Sequence, residues 1–270
     1  MEPSEMLHHE WDNAYVALSY VIAVIASYMS LELAGRVGQN TRTAANRFWL
    51  VAQALVLGYG IWAMHFIGMM AFKVNAAASI NYPLTVSSGV IVVLLVYLAL
   101  LYVRAAPLTA VRLAVSSALT GTGIVVMHYL GMYAYQLPGT ETKLAWLPLI
   151  GSVLVAMAAS TVSLLLFHRL SGDWAARQKG VVLHSLKLAA AGVMGLAVLG
   201  VHYLGMAALQ YHVVDELKVG IASAGIDTSL LALVVGVVSF LMMGLALTSM
   251  LMDAGRGGDL DELDFGSAAD

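Results

Sequence analysis

The 270-residue chain has no cysteine, which excludes a disulfide-stapled secreted scaffold. Charged residues are scarce, 11% against the roughly 25% of soluble domains, while 60% are hydrophobic and the mean hydropathy is +0.84. This balance excludes an ordinary cytosolic enzyme and a disordered chain alike. A net charge of −3 gives no electrostatic reason for a nucleic-acid partner. The segment Met1–Asp12 carries no Lys or Arg, the reverse of a signal peptide's positive leader. No Ser-His-Asp set, paired carboxylates or phosphate-binding loop occurs, so the chain does not read as an enzyme.

What is present is long apolar runs. At about 20 residues per crossing, they predict an all-α, polytopic protein of the lipid bilayer with seven transmembrane helices. The spans lie near 14–34, 48–72, 83–103, 113–135, 145–167, 187–211 and 228–252. Residues 1–255 form one membrane domain on this reading, and 256–270 a short acidic flexible tail. Alternate loops carry the basic residues. Arg36, Arg42 and Arg47, then Arg104 and Arg112, then Arg169, Arg177, Lys179 and Lys187 face Lys73, Lys143 and Lys218 in the others. Nine against three predicts an outer N-terminus and a cytoplasmic C-terminus. In a bacterium this means a multi-pass inner-membrane protein with a periplasmic N-terminus. The seventh span has no Lys, which excludes a retinal Schiff base.

An internal repeat organises the spans. The second contains Met64-His65-Phe66-Ile67-Gly68-Met69, the fourth Met127-His128-Tyr129-Leu130-Gly131-Met132, and the sixth Val201-His202-Tyr203-Leu204-Gly205-Met206. The odd spans repeat more faintly, with Ser19, Ser87 and Ser152 each 17 residues ahead of Arg36, Arg104 and Arg169. The unit is a two-helix hairpin, present three times in parallel, with the seventh helix left over. Counting outward at about 1.5 Å per residue, the histidines share a depth roughly 10–15 Å below the outer boundary.

Ionisable side chains inside hydrocarbon are costly, and three at matched depth point to function. His and Met at i and i+4 share one helical face. His65/Met69, His128/Met132 and His202/Met206 are therefore candidate metal ligands. Imidazole with thioether suits copper, Cu(I) above all, alongside Cu(II); calcium and magnesium want oxygen, which the motifs do not offer. Met64 and Met127 point elsewhere and rank lower. The glycines read as allowing close helix approach. Tyr129 and Tyr203 could hydrogen-bond an imidazole, and His8 and His9, on the same side, could cap an outer metal site. His168 and His184 fall at the cytoplasmic face and read as incidental.

At these motifs the sequence resembles the MHYT domain of bacterial membrane sensors, over about residues 10–255. The resemblance implies a seven-helix integral domain that binds copper through outer-side His and Met residues. It also implies sensing of a diatomic gas (oxygen, carbon monoxide or nitric oxide) and output through cytoplasmic cyclase, phosphodiesterase or kinase domains. This chain departs from the pattern at Ile67, Leu130 and Leu204, where Thr is usual, and at Val201, where Met is. No output domain follows within these 270 residues, so either the signal is expected to pass to a separate cytoplasmic or membrane partner or the chain is a fragment or stand-alone version of such a protein. Two other readings stay open: a haem b protein using the same histidines, and a copper transport or delivery protein. Against transport, no His/Met set continues through the inner halves of the spans.

Overall fold

Polar caps and apolar length together set the helices. The computed structural model describes residues 7–38, 43–74 and 78–214, with residues 233, 235–241, 244 and 248. Six long helices result: α1 (Asn13–Arg36), α2 (Ala44–Met70), α3 (Tyr82–Arg104), α4 (Ala110–Ala134), α5 (Trp146–Ser171) and α7 (Gly180–Ala208), with the short α6 (Asp173–Ala176) between the last two. Each of the six is long and apolar enough to cross a membrane. Their outward faces carry exposed aliphatics such as Leu18, Val90, Leu154 and Leu196, as a lipid-facing surface requires. The side chains of Asp12, Thr43, Asn81 and Thr109 accept from the first-turn amides of Ala14, Asn46, Leu84 and Arg112, satisfying donors that the helix leaves free.

Each hairpin is also closed by a ribbon of two short antiparallel strands. Strand β1 (His9–Trp11) pairs with β2 (Phe72–Val74), β3 (Ser79–Ile80) with β4 (Tyr135–Gln136), and β5 (Thr140–Leu144) with β6 (Leu209–Val213). The repeat is therefore β-α-α-β. The amides of Asp12, Asn81 and Ala145, just before the odd helices, donate to the carbonyls of Ala71, Ala134 and Ala208 at 2.9, 2.8 and 2.8 Å. Those alanines stand six residues after His65, His128 and His202 and are fully buried, so the motif runs on to a third small residue. Ser19, Ser87 and Ser152 all donate to the carbonyl three residues back. Between the second and third units, Pro138-Gly139 makes the turn. Gly139 has φ 88° and the Thr140 amide bonds the Leu137 carbonyl, the signature of a type II turn.

Within the bundle α1 packs on α2, α3 on α4 and α5 on α7, and the pairs close on one another with α2, α4 and α7 meeting at the axis. The ribbons lie at one end of the bundle. Arg36, Arg104, Arg112 and Arg169 lie at the other, where Arg104 donates to the carbonyls of Ala34 and Val37.

Several boundaries move. Helices α2, α4 and α7 stop at Met70, Ala134 and Ala208 rather than at 72, 135 and 211, because the following apolar residues enter the ribbons. This brings the histidines to about 8–9 Å from their helix ends at 1.5 Å per residue, shallower than the span reading. Helix α7 starts at Gly180, not 187, and Lys187 is an interior residue. The span at 228–252 lies largely outside the described residues. Within it, residues 235–241 are helical and the Val235 carbonyl accepts from the Tyr59 hydroxyl at 3.0 Å. The tail at 256–270 lies outside the described residues.

The first ribbon is held by an exposed ion pair, Lys73 Nζ to Asp12 Oδ2 at 2.7 Å. Lys73 and the Ala14 amide hold the Asp12 carboxyl below its ordinary value, and Asp12 raises Lys73. A depressed carboxyl contributes stability at neutral pH that is lost as pH falls through its folded value. Amide exchange in β1–β2 is therefore expected to accelerate below the ordinary carboxylate range. Asp12→Asn should flatten that dependence; an unchanged acid limb in the variant would refute this origin.

Candidate metal centre

Helices α2, α4 and α7 each bring one histidine to the axis. His65 is 0% exposed, and His128 and His202 are 2%. The rings stand nearly perpendicular to one another, with centroids 4.9, 5.0 and 5.3 Å apart. Nδ1 of His65 lies 3.1 Å from Nδ1 of His202 and 3.1 Å from Nδ1 of His128. One nitrogen from each ring lies within 4.8 Å of the others, the single such grouping among the described residues.

This arrangement is poorly satisfied as a hydrogen-bond set. An imidazole Nδ1 offers either one proton or one lone pair, so His65 cannot make two full bonds to its neighbours. No side chain among the described residues partners the three Nε2 atoms; those of His128 and His202 lie against the backbone of Gly205 and Gly68, and a buried polar group without a full partner is costly. With the proton on each Nε2, three lone pairs converge on the axis, and a cation satisfies all of them. Three nitrogens at about 2.0 Å from one ion stand roughly 3.3–3.5 Å apart, a few tenths of an ångström more than the observed edges. Such a donor set accepts zinc, copper, iron or nickel.

The motif glycines seat the imidazoles. A Cβ on Gly68 would fall 2.5 Å from Nε2 of His202, one on Gly131 would collide with Nε2 of His65, and one on Gly205 with Nε2 of His128. Each histidine thus rests on the glycine of the next unit in a closed cycle. The close helix approach expected at these glycines is made by a histidine side chain in each case.

Met69, Met132 and Met206, one turn nearer the ribbons, share a buried cluster with Leu7, Phe72, Leu137 and Tyr211. Met64 and Met127 belong instead to the main core with Val201. The triad lies between these two apolar layers. The Tyr129 hydroxyl bonds Ser152 Oγ at 2.8 Å rather than an imidazole. Tyr203 turns its ring towards Trp11, centroids 5.1 Å apart. His8 and His9 are exposed and stand outside the triad, His9 lying on Phe72 at 4.7 Å.

A buried ion pair stands apart from the triad. Lys187 Nζ lies 3.0 Å from Glu32 Oε2, joining α7 to α1 in the basic half. Nδ1 of His184 stands 3.1 Å from the Tyr28 hydroxyl and 3.4 Å from Glu32 Oε1, so His184 is part of this contact rather than incidental. Its signal in the sequence is a Glu and a Lys bordering apolar runs.

Residues 58–116 and again 121–178 match the MHYT family, described as a bacterial signalling protein N-terminal repeat. The bifunctional diguanylate cyclase/cyclic di-GMP phosphodiesterase MucR of Pseudomonas aeruginosa is 37% identical over 251 residues, 92% of this chain and 35% of that protein. The signalling protein YkoW of Bacillus subtilis is 34% identical over 209 residues, 76% and 25%. The cyclic di-GMP phosphodiesterase NbdA of Pseudomonas aeruginosa is 33% identical over 200 residues, 74% and 24%. The chain thus spans between a quarter and about a third of the length of these relatives. No solved structure matches it. Two successive copies of the repeat, which hold His65 and His128, make this chain a member of the MHYT family.

Proposed function

We propose that the chain is a membrane sensor of the bacterial inner membrane, with its ribbon end periplasmic and its basic end cytoplasmic. Its centre is a copper ion held by Nδ1 of His65, His128 and His202. The convergence of three Nδ1 atoms at the axis carries this reading. The buried thioether layer of Met69, Met132 and Met206 supports copper over zinc, because soft sulfur favours the cuprous state. When bound, copper supplies one-electron chemistry and a position for a diatomic gas.

The protein's own part is mechanical. The three imidazoles come from three different units, and each presses on the glycine of the next. A change in their spacing therefore shifts α2, α4 and α7 against one another. Helix α2 continues 21 residues from His65 back to Ala44, about 30 Å at 1.5 Å per residue, and delivers that shift to the basic end. The receiving partner is a cytoplasmic or membrane signalling protein or domain. Turnover of cyclic di-GMP is the output that the names of MucR and NbdA support.

Haem b is the weaker reading. Axial imidazoles stand about 4 Å apart across an iron, twice a metal–nitrogen bond of about 2 Å, whereas these nitrogens are 3.1 Å apart and the rings leave no space for a macrocycle between them. Transport is weaker too, since the described residues hold no second grouping of three or more His, Cys, Asp or Glu side chains.

Metal analysis and an absorption spectrum of the detergent-purified protein test the proposal. Copper near one equivalent is expected, without a Soret band, and the triple variant His65→Ala, His128→Ala, His202→Ala should lose it. Stoichiometric copper in the triple variant would defeat the assignment.

A further inference from the structure

A metal centre this deeply buried needs a route for its ion, and the bundle has one flank that fits. At the ribbon end, between the segment entering α1 and the end of α7, lies a chamber of about 630 Å³. His9, Trp11 and Phe72 line it on one side, Tyr203, Met206 and Tyr211 on the other. Of the three motif methionines, Met206 alone reaches it; its remaining surface belongs to the cluster with Met69 and Met132. Met206 is therefore the one thioether shared by the chamber and the interior.

The opposite approach is unsuitable for a cation. From the basic end an ion would pass Arg104 and Lys187 and then meet a constriction of only about 20 Å³, where Ser27, Thr120 and Ser160 stand among Leu57, Ile61, Ile124 and Val198. At the ribbon end it meets an exposed imidazole, four aromatic rings of the kind whose faces attract cations, and then sulfur. Among the described residues, one backbone bond from the Leu7 amide to the Tyr211 carbonyl, 2.8 Å, ties the first strand's leading segment to β6.

We infer that this chamber is a loading site for a soft monovalent metal ion, in which His9 captures the ion and Met206 passes it towards the triad. This rests on the metal centre proposed above and gives His9 a different role from a cap: it acts on the rate of filling and not on the final occupancy.

Silver(I), a redox-inert soft cation, is the probe. Tryptophan fluorescence follows its uptake by the full chain in detergent after rapid mixing, and metal analysis gives the silver retained at equilibrium. His9→Ala, at an exposed position, should slow filling roughly tenfold, the lower end of the loss on removing an outlying partner of a metal site, with unchanged final silver. Ala207→Trp, which fills the chamber from an exposed position on its lining, should do the same without touching a candidate ligand. His65→Ala should lose retained silver. Equal filling rates in wild type, His9→Ala and Ala207→Trp would overturn the route and leave the triad standing. A full equivalent lost in His9→Ala would make His9 a ligand of the centre and overturn the loading role. Wild-type protein that retains no silver would overturn centre and route together.

Discussion

Gly205→Ala is expected to destabilise the bundle by about 3 kcal/mol, the upper end of the overpacking range, and to abolish metal retention. The added Cβ would occupy the place of His128 Nε2. The ring cannot step back, because its other nitrogen faces His65 Nδ1 at 3.1 Å. Either α4 and α7 separate or the imidazole leaves the axis. Gly131→Ala acts on His65 in the same way, and Gly68→Ala, with its Cβ 2.5 Å from His202 Nε2, on the third ring. Gly200, two residues before His202 on the same helix, has nothing within 4 Å of its Cβ position. Gly200→Ala should therefore be neutral or stabilising, by up to about 1 kcal/mol, through the helix preference for alanine. Thermal unfolding of both variants, with metal analysis, checks the contrast. Equal stability of Gly205→Ala and Gly200→Ala would show that the imidazoles do not rest on these glycines.

The second large effect is expected at the other end of α7. Lys187 is 5% exposed and has the Glu32 carboxylate 3.0 Å away. Removing one member of a buried pair strands the other charge and costs about 3–5 kcal/mol, whereas replacing both is often close to neutral. Glu32→Gln should be the more damaging single change, since it leaves the Lys187 ammonium with no counter-charge. Lys187→Met should cost less, because Glu32 keeps His184 3.4 Å away. The double variant Glu32→Gln, Lys187→Met should recover most of the loss. Residual folded fraction after heating in detergent measures the cycle, and single variants as stable as the double would remove the pair from the stabilising contacts. The pair also joins the first and third units at the basic end, as the triad joins all three near the ribbons. The double variant is thus expected to leave metal binding at the proposed centre unchanged while loosening the α1–α7 contact.

How much of this was readable from residue order depends on the range of the interaction. The six described membrane helices were legible because lipid leaves a chain few ways to satisfy its backbone, and a run of about 20 apolar residues is a local property. The threefold unit was legible because His65, His128 and His202 stand in copies of one string, and helical periodicity places each methionine four residues on upon the same face. The ribbons were not. Phe72–Val74 and Leu209–Val213 continue the hydropathy of the helices before them, and their strand character comes from partners at His9–Trp11 and Thr140–Leu144. The extent of α7 was misread for the same reason. A lysine normally ends an apolar run, and its partner Glu32 lies 155 residues away.

At the centre the division is sharpest. Residue order placed three imidazoles at one depth and a glycine and a methionine beside each. Which ring nitrogen faces the axis, that each ring rests on the glycine of the following unit, and that Met69, Met132 and Met206 share one layer while Met64 and Met127 do not, came from folding. Those facts depend on how three helices rotate about a common axis, and no single helix contains that information. Contacts set by covalent spacing along one helix can be read from the string; contacts between helices 63 and 74 residues apart exist only once close approach at the glycines has fixed their rotation.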